Sequence, residues 1–137
     1  MLTKLLTPHA DRIYVVTRIV IGLLFAFHGV QKILGLFASS TADVFSQMWI
    51  GGIIELVGGA CVAAGLFTCE MALLCSGTMA VAYIQFHWKF RFDEHLLPRI
   101  NKGEMALMYS FMFLYIAFRG PGLVSVDRWR TRKRGSR

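Results

Sequence analysis

Apolar residues fall in four blocks separated by short polar segments. The blocks are long and continuous, unlike the one-sided stripe of a soluble helix. At about 1.5 Å per residue, about 20 apolar residues cross a hydrocarbon core of about 30 Å. Residues 13–36, 48–67 and 70–88 meet that length. A fourth block, 105–118, covers only about 21 Å, but with its flanks, as 102–119, it also spans. The pattern predicts an all-α integral membrane four-helix bundle. One domain covers 1–137, with a basic tail over 119–137.

Composition agrees with that reading. The chain is 55% hydrophobic and 17% charged, with a mean hydropathy of +0.54, too apolar for an ordinary soluble domain. The polar start "MLTKLLTPHADR" and the length of the first block speak against a cleaved signal peptide. The formal charge of +7 is concentrated in "RWRTRKRGSR". Beside a membrane helix such a tail meets lipid headgroups or simply sets topology, so no nucleic acid is expected. Basic residues stay cytoplasmic. Lys4 and Arg12 at the start and Arg119, Arg128, Arg130, Arg132, Lys133, Arg134 and Arg137 at the end outweigh the connection 89–104. Both termini are therefore expected in the cytoplasm of a cell with this multi-pass protein in its inner membrane. Trp49, Trp88 and Trp129 fall at the expected membrane boundaries.

Ionisable residues inside a span are costly and usually face the bundle interior with a partner. The stretch "FAFHGVQKILG" places His28, Gln31 and Lys32 in the first block. With alternating helix directions, His28, Lys32, Glu55, His87 and Glu104 share the outer half, and Arg18 and Glu70 the inner half. At about 100° per residue, Arg18, Gly22, Phe25, Gly29 and Lys32 lie in one arc. Glu55 shares its face with Gly51, Gly52, Gly58, Gly59 and Val62. Small residues let membrane helices approach closely, so Glu55 is expected at a helix contact with Lys32 as its partner. His28, Lys32, Glu55, His87 and Glu104 are the candidate ligand-binding residues, with His28 and Glu55 the candidates for proton transfer. Arg18, Gly29, Gly58 and Gly59 are read as packing or structural positions. Two histidines without a further ligand motif predict no metal site. Cys61 and Cys75 lie equally far from a turn expected near Thr68 and could meet as a dithiol; buried cysteines more often fill apolar space. Ser125 and Asp127 are expected to hydrogen-bond backbone groups freed by the Gly-Pro-Gly break.

Four segments in order resemble the DoxX family of small four-helix membrane proteins. They are "RIVIGLLFAFHGVQKILG", "IGGIIELVGGACVAAGLFT", Glu104 before the last helix, and "GPGLVSVDRW". The positions matching the family pattern are Arg18, His28, Gly29, Lys32, Glu55, Gly59, Glu104, Ser125 and Asp127. The segment before the last helix departs from it. The family is similar to the membrane subunit of an archaeal thiosulfate:quinone oxidoreductase. A mycobacterial member is associated with a superoxide dismutase and a sulfurtransferase in a thiol-stress complex.

Three functions follow as expectations. The first is a bacterial membrane component of a redox or thiol/oxidative-stress system that binds a quinone in an outer-leaflet polar pocket. It would be an enzyme only as a subunit of a quinone-linked oxidoreductase, since no cofactor motif is evident and a soluble redox enzyme must supply electrons. The second is a non-catalytic scaffold that recruits a soluble enzyme. The third is a small transporter or lipid-binding protein, for which a homo-oligomer would be needed.

Overall fold

The computed structural model describes residues 1–38 and 40–134; Arg137 of the basic tail lies outside them. Among the described residues the protein is helical throughout, with no strand. A short α1 (Leu2–Leu6) leads through a 3₁₀ turn (Thr7–His9) into α2 (Ala10–Leu34). Next come α3 (Gln47–Ala64) and α4 (Thr68–Ala82). A π-helical stretch (Tyr83–Trp88) prolongs α4. After a 15-residue connection with one 3₁₀ turn, α5 (Glu104–Arg119) and α6 (Val126–Arg134) complete the chain. Three segments are long and apolar enough to cross a membrane: Leu2–Leu34, Gln47–Ala64 and Thr68–Trp88. The expected fourth crossing rests on α5, which is about 24 Å long.

The first helix starts before residue 13 because Asp11 and Arg12 are compatible with helical backbone, and an acidic residue in the first turn favours it. It ends at Gly35, whose φ of 67° accepts the left-handed conformation. The second helix starts on a Ser46 cap, whose side chain accepts from the Trp49 amide at 3.1 Å. It stops at Ala64, short of residue 67, because Gly65 turns left-handed. The turn is therefore centred near Leu66 rather than Thr68. That register brings Cys75 opposite Gly58: a Cβ on Gly58 would lie 2.5 Å from Cys75 Sγ. Cys61, Cys69 and Cys75 are all free.

Helix α2 packs on α3, α3 on α4, and α4 on α5. The α2–α3 contact is backbone against backbone. A Cβ at Gly22 would lie 2.6 Å from both Ala63 N and Gly59 O, and one at Gly59 equally close to Ala26 N and Gly22 O. The shared core holds Tyr14, Val15 and Phe25 of α2, Val62 of α3, Ala72 and Cys75 of α4, and Phe113 and Ile116 of α5. Phe25 packs edge-on to Phe113 at 4.6 Å between ring centroids. Ser76 and Ser110 tie α4 to α5 by reciprocal bonds, each hydroxyl donating to the other's carbonyl at 2.8 and 3.1 Å. Such hydroxyl–carbonyl links join helices without leaving a polar group unsatisfied.

Candidate functional site

Helix direction alternates, so the C-terminal end of α2, the N-terminal end of α3, the C-terminal end of α4 and the connection 89–103 lie together. This loop end holds a polar group built from several helices. Lys32 Nζ is 2.5 Å from Glu55 Oε1. Glu55 is only 4% exposed, while the Lys32 side chain retains about a third of its exposure. The close α2–α3 approach brings these two side chains within reach: a Cβ on Gly52, one turn from Glu55, would be 3.0 Å from Lys32 Cβ. The second carboxylate oxygen, Glu55 Oε2, is buried without a hydrogen-bond partner among the described residues.

Glu55 and Lys32 line a cavity of about 970 Å³ between α3 and α4. His87 and Gln47 join them at the loop end, and Gln47 bonds to Gln85 of the π-helical stretch. The long wall is apolar: Met48, Ile50 and Ile54 from α3, and Leu73, Leu74, Val81 and Phe86 from α4 and its continuation. Glu70 lines the far end. Gly51 and Gly77, on opposite walls, have open space in front of them. The π-helical stretch contributes both Phe86 and His87 to this wall, and such stretches recur at functional sites. His87 Nδ1 is 3.2 Å from the Asn101 carbonyl, which ties the cavity mouth to the 89–103 connection. In that connection Asp93 is held down to about 2, chiefly by the His95 amide and also by Arg91.

Of the five candidate ligand-binding residues, Lys32, Glu55 and His87 share the cavity. His28 is half-buried beside it on α2, edge-on to the Tyr109 ring with centroids 5.9 Å apart. Glu104 is exposed on the first turn of α5 and makes no hydrogen bond or ion pair among the described residues. Tyr109, Gln47 and Gln85 were not singled out by sequence reasoning. The hydroxyl-bearing Tyr109–Ser110 pair inside "MALMYSFMF" was the available signal. Among the described residues no group of three or more His, Cys, Asp or Glu is placed to hold a metal.

The opposite end, bearing α6, is organised around Arg18 and Asp127. Arg18 is 1% exposed and donates to Pro121 O at 2.5 Å, Val124 O at 3.0 Å and Ala63 O at 3.3 Å. Tyr14 donates to Gly120 O at 2.5 Å. The carbonyls that the Gly-Pro-Gly break leaves without helical partners are thus met by α2 side chains. Asp127 accepts from the Phe67 amide, the Thr68 amide and the Thr68 hydroxyl at 2.8–2.9 Å. Helix α4 has no side-chain cap of its own, and Asp127 supplies one from α6. Burial pushes the Asp127 carboxyl up, but these hydrogen bonds and Arg130 outweigh it and hold it below its ordinary value. Ser125 Oγ accepts from the Arg128 amide at 3.2 Å and caps α6. Gly58 and Gly59 are buried in the α3 contacts, and Gly29 is pressed against α3 backbone at Gly52 and Leu56.

The model of the DoxX family matches residues 13–88, which include Arg18, His28, Lys32, Glu55 and His87. An uncharacterized protein of Haemophilus influenzae is 36% identical over 114 residues, covering 80% of this chain and 84% of the relative. No solved structure matches the chain. With its apolar helices and a family match across more than half of its length, the chain belongs to the DoxX family.

Proposed function

We propose that this chain is a four-span protein of a bacterial inner membrane with both ends in the cytoplasm. It serves as the membrane component of a redox or thiol/oxidative-stress system and binds a quinone in the cavity between α3 and α4. The observation that carries the reading is the Glu55 carboxylate. Its Oε1 is held by Lys32, and its Oε2 is buried without a partner at the polar end of an otherwise apolar cavity. A buried acceptor left unsatisfied costs about 1–3 kcal/mol, so a ligand that brings a hydroxyl donor, as the reduced quinol form does, is favoured there. The residues fit a flat polar head with a long apolar tail. Lys32, Gln47, Glu55 and His87 gather at one end, and the exposed edges of Leu73, Leu74, Val81 and Phe86 open the rest toward lipid.

When bound, a quinone supplies two-electron, two-proton carrier chemistry. Glu55 holds or accepts a proton at Oε2, the atom left without a partner among the described residues. Lys32 compensates the charge on Oε1 and places an ammonium beside the developing negative charge of the head. The reading requires a soluble redox enzyme as electron source. The basic α6 or the 89–103 connection, which lie at opposite ends of the bundle, is the surface it would meet.

The protein purified in mild detergent should carry a stoichiometric quinone into organic solvent, identified by mass spectrometry. Glu55→Gln and the groove-filling Leu74→Trp should each deplete it. Absence of quinone from wild type, together with wild-type behaviour of Glu55→Gln in cells, overturns the reading. The tight α2–α3 backbone contact around Lys32–Glu55 favours one second reading. There the pair only sets helix register in a scaffold for a soluble enzyme, and replacing both residues with apolar ones preserves cellular function.

A further inference from the structure

The α6 end carries a second cavity, of about 380 Å³, which the proposed quinone chemistry does not use. Arg18, Ala63, Ala64, Ser125 and Trp129 line it, so the last turn of α3 and the start of α6 close over the α2 arginine. The guanidinium is almost wholly buried, yet it forms no ion pair among the described residues. Among the described residues carbonyl oxygens alone accept from it, and its Nε is buried without a partner. A guanidinium has five N–H donors, and burying its charge without a counter-ion is unfavourable.

The acids at this end are otherwise engaged. Asp127 is taken up by the Phe67 amide and by Thr68, and Asp11 pairs with Arg119. Glu70 lines the other cavity. The surroundings favour an anion independently. Helix α6 points its N-terminal end at the same cavity; its Asp127 and Arg128 amides already donate to Gly65 O and Ser125 Oγ, so the helix contributes the positive end of its dipole there. Arg128, Arg130 and Arg132 are exposed along α6. The depth is informative as well. Ala64 ends the candidate span Gln47–Ala64, which puts the cavity where lipid phosphates lie, and the half-exposed Trp129 sits at its rim.

We infer that this cavity is a phosphate-binding site in which Arg18 and the Ser125 end of α6 hold the anion, supplied by a phospholipid headgroup or by free phosphate. Guanidinium geometry suits phosphate oxygens, and the occupant gives Arg18 a counter-charge in direct contact, which the more distant Asp127 carboxylate does not.

The test titrates the purified full-length protein in detergent with dioleoylphosphatidylglycerol and, separately, with sodium phosphate, reading adducts by native mass spectrometry. Wild type should show one saturable adduct. Arg18→Gln should weaken it by about tenfold or more, as loss of a charge-assisted contact implies. Ala64→Phe fills the mouth from an exposed position and leaves the Arg18 hydrogen bonds in place. It should weaken binding to a similar degree, and it decides the matter if Arg18→Gln does not fold. Saturation by the lipid alone assigns the site to a headgroup, and saturation by phosphate alone to the free anion. No saturable adduct with either, or an adduct that Ala64→Phe leaves unchanged, overturns the inference.

Discussion

Removing the cation of the Lys32–Glu55 pair should harm the protein far more than removing the anion. Lys32→Met leaves the Glu55 carboxylate 4% exposed, with Oε1 newly unpaired and Oε2 already without a donor. Breaking a buried pair this way costs about 3–5 kcal/mol. Glu55→Leu leaves a different remainder. The Lys32 side chain keeps 32% of its exposure and can extend its ammonium to the polar surface, so about 1–2 kcal/mol is expected. The double change to Met and Leu should fall near wild type or within about 1 kcal/mol of it, since a well-packed apolar pair replaces a desolvated ionic one. Reversible unfolding in mixed micelles, run as a double-mutant cycle, measures all three. A Lys32→Met loss under about 0.5 kcal/mol, the scale of an exposed pair, would refute the reasoning. It would show that Glu55 does not depend on Lys32 for its counter-charge.

Three further outcomes follow. Asp127→Asn should cost about 1–2 kcal/mol as a lost helix cap. In the wild type the folded carboxyl lies below its ordinary 3.8. Its stabilisation is therefore fully present above that value and is lost as pH falls through the lower folded one, which an acid titration of unfolding with and without Asp127→Asn will read. Gly59→Ala should destabilise by about 1–3 kcal/mol by forcing α2 and α3 apart, whereas Gly51→Ala and Gly77→Ala, which face open space, should leave the unfolding transition in place. Finally, a membrane-impermeant maleimide should label the exposed Cys69 only after the cytoplasmic side is opened, and should leave the buried Cys75 unlabelled until unfolding. Labelling of Cys69 from outside in intact cells would reverse the proposed topology.

Read alone, the chain reveals what depends on local sequence and on depth. The apolar blocks locate the helices because backbone groups in hydrocarbon must bond within their own helix. The 3.6-residue period puts Glu55 on the face of Gly51, Gly52, Gly58, Gly59 and Val62, so the Lys32–Glu55 contact could be anticipated from pattern and spacing, although Gly51 faces open space rather than a neighbouring helix. Positions that depend on a backbone turn were less legible. The left-handed Gly65 shortens α3 and seats Cys75 Sγ over Gly58, a placement that residue spacing alone does not give.

Contacts between segments far apart in the chain were beyond the sequence, because no local period encodes them. Asp127 caps a helix 59 residues away, and Arg18 takes the Pro121 carbonyl across 103. The outer residues shared a depth in the sequence, yet rotation about each helix axis separated them. Lys32, Glu55 and His87 line the cavity, His28 turns to Tyr109, and Glu104 stays exposed. Depth follows from counting residues along one helix. Which way a side chain faces at that depth follows from how neighbouring helices rotate and pack, and that is settled by the fit of the helices together.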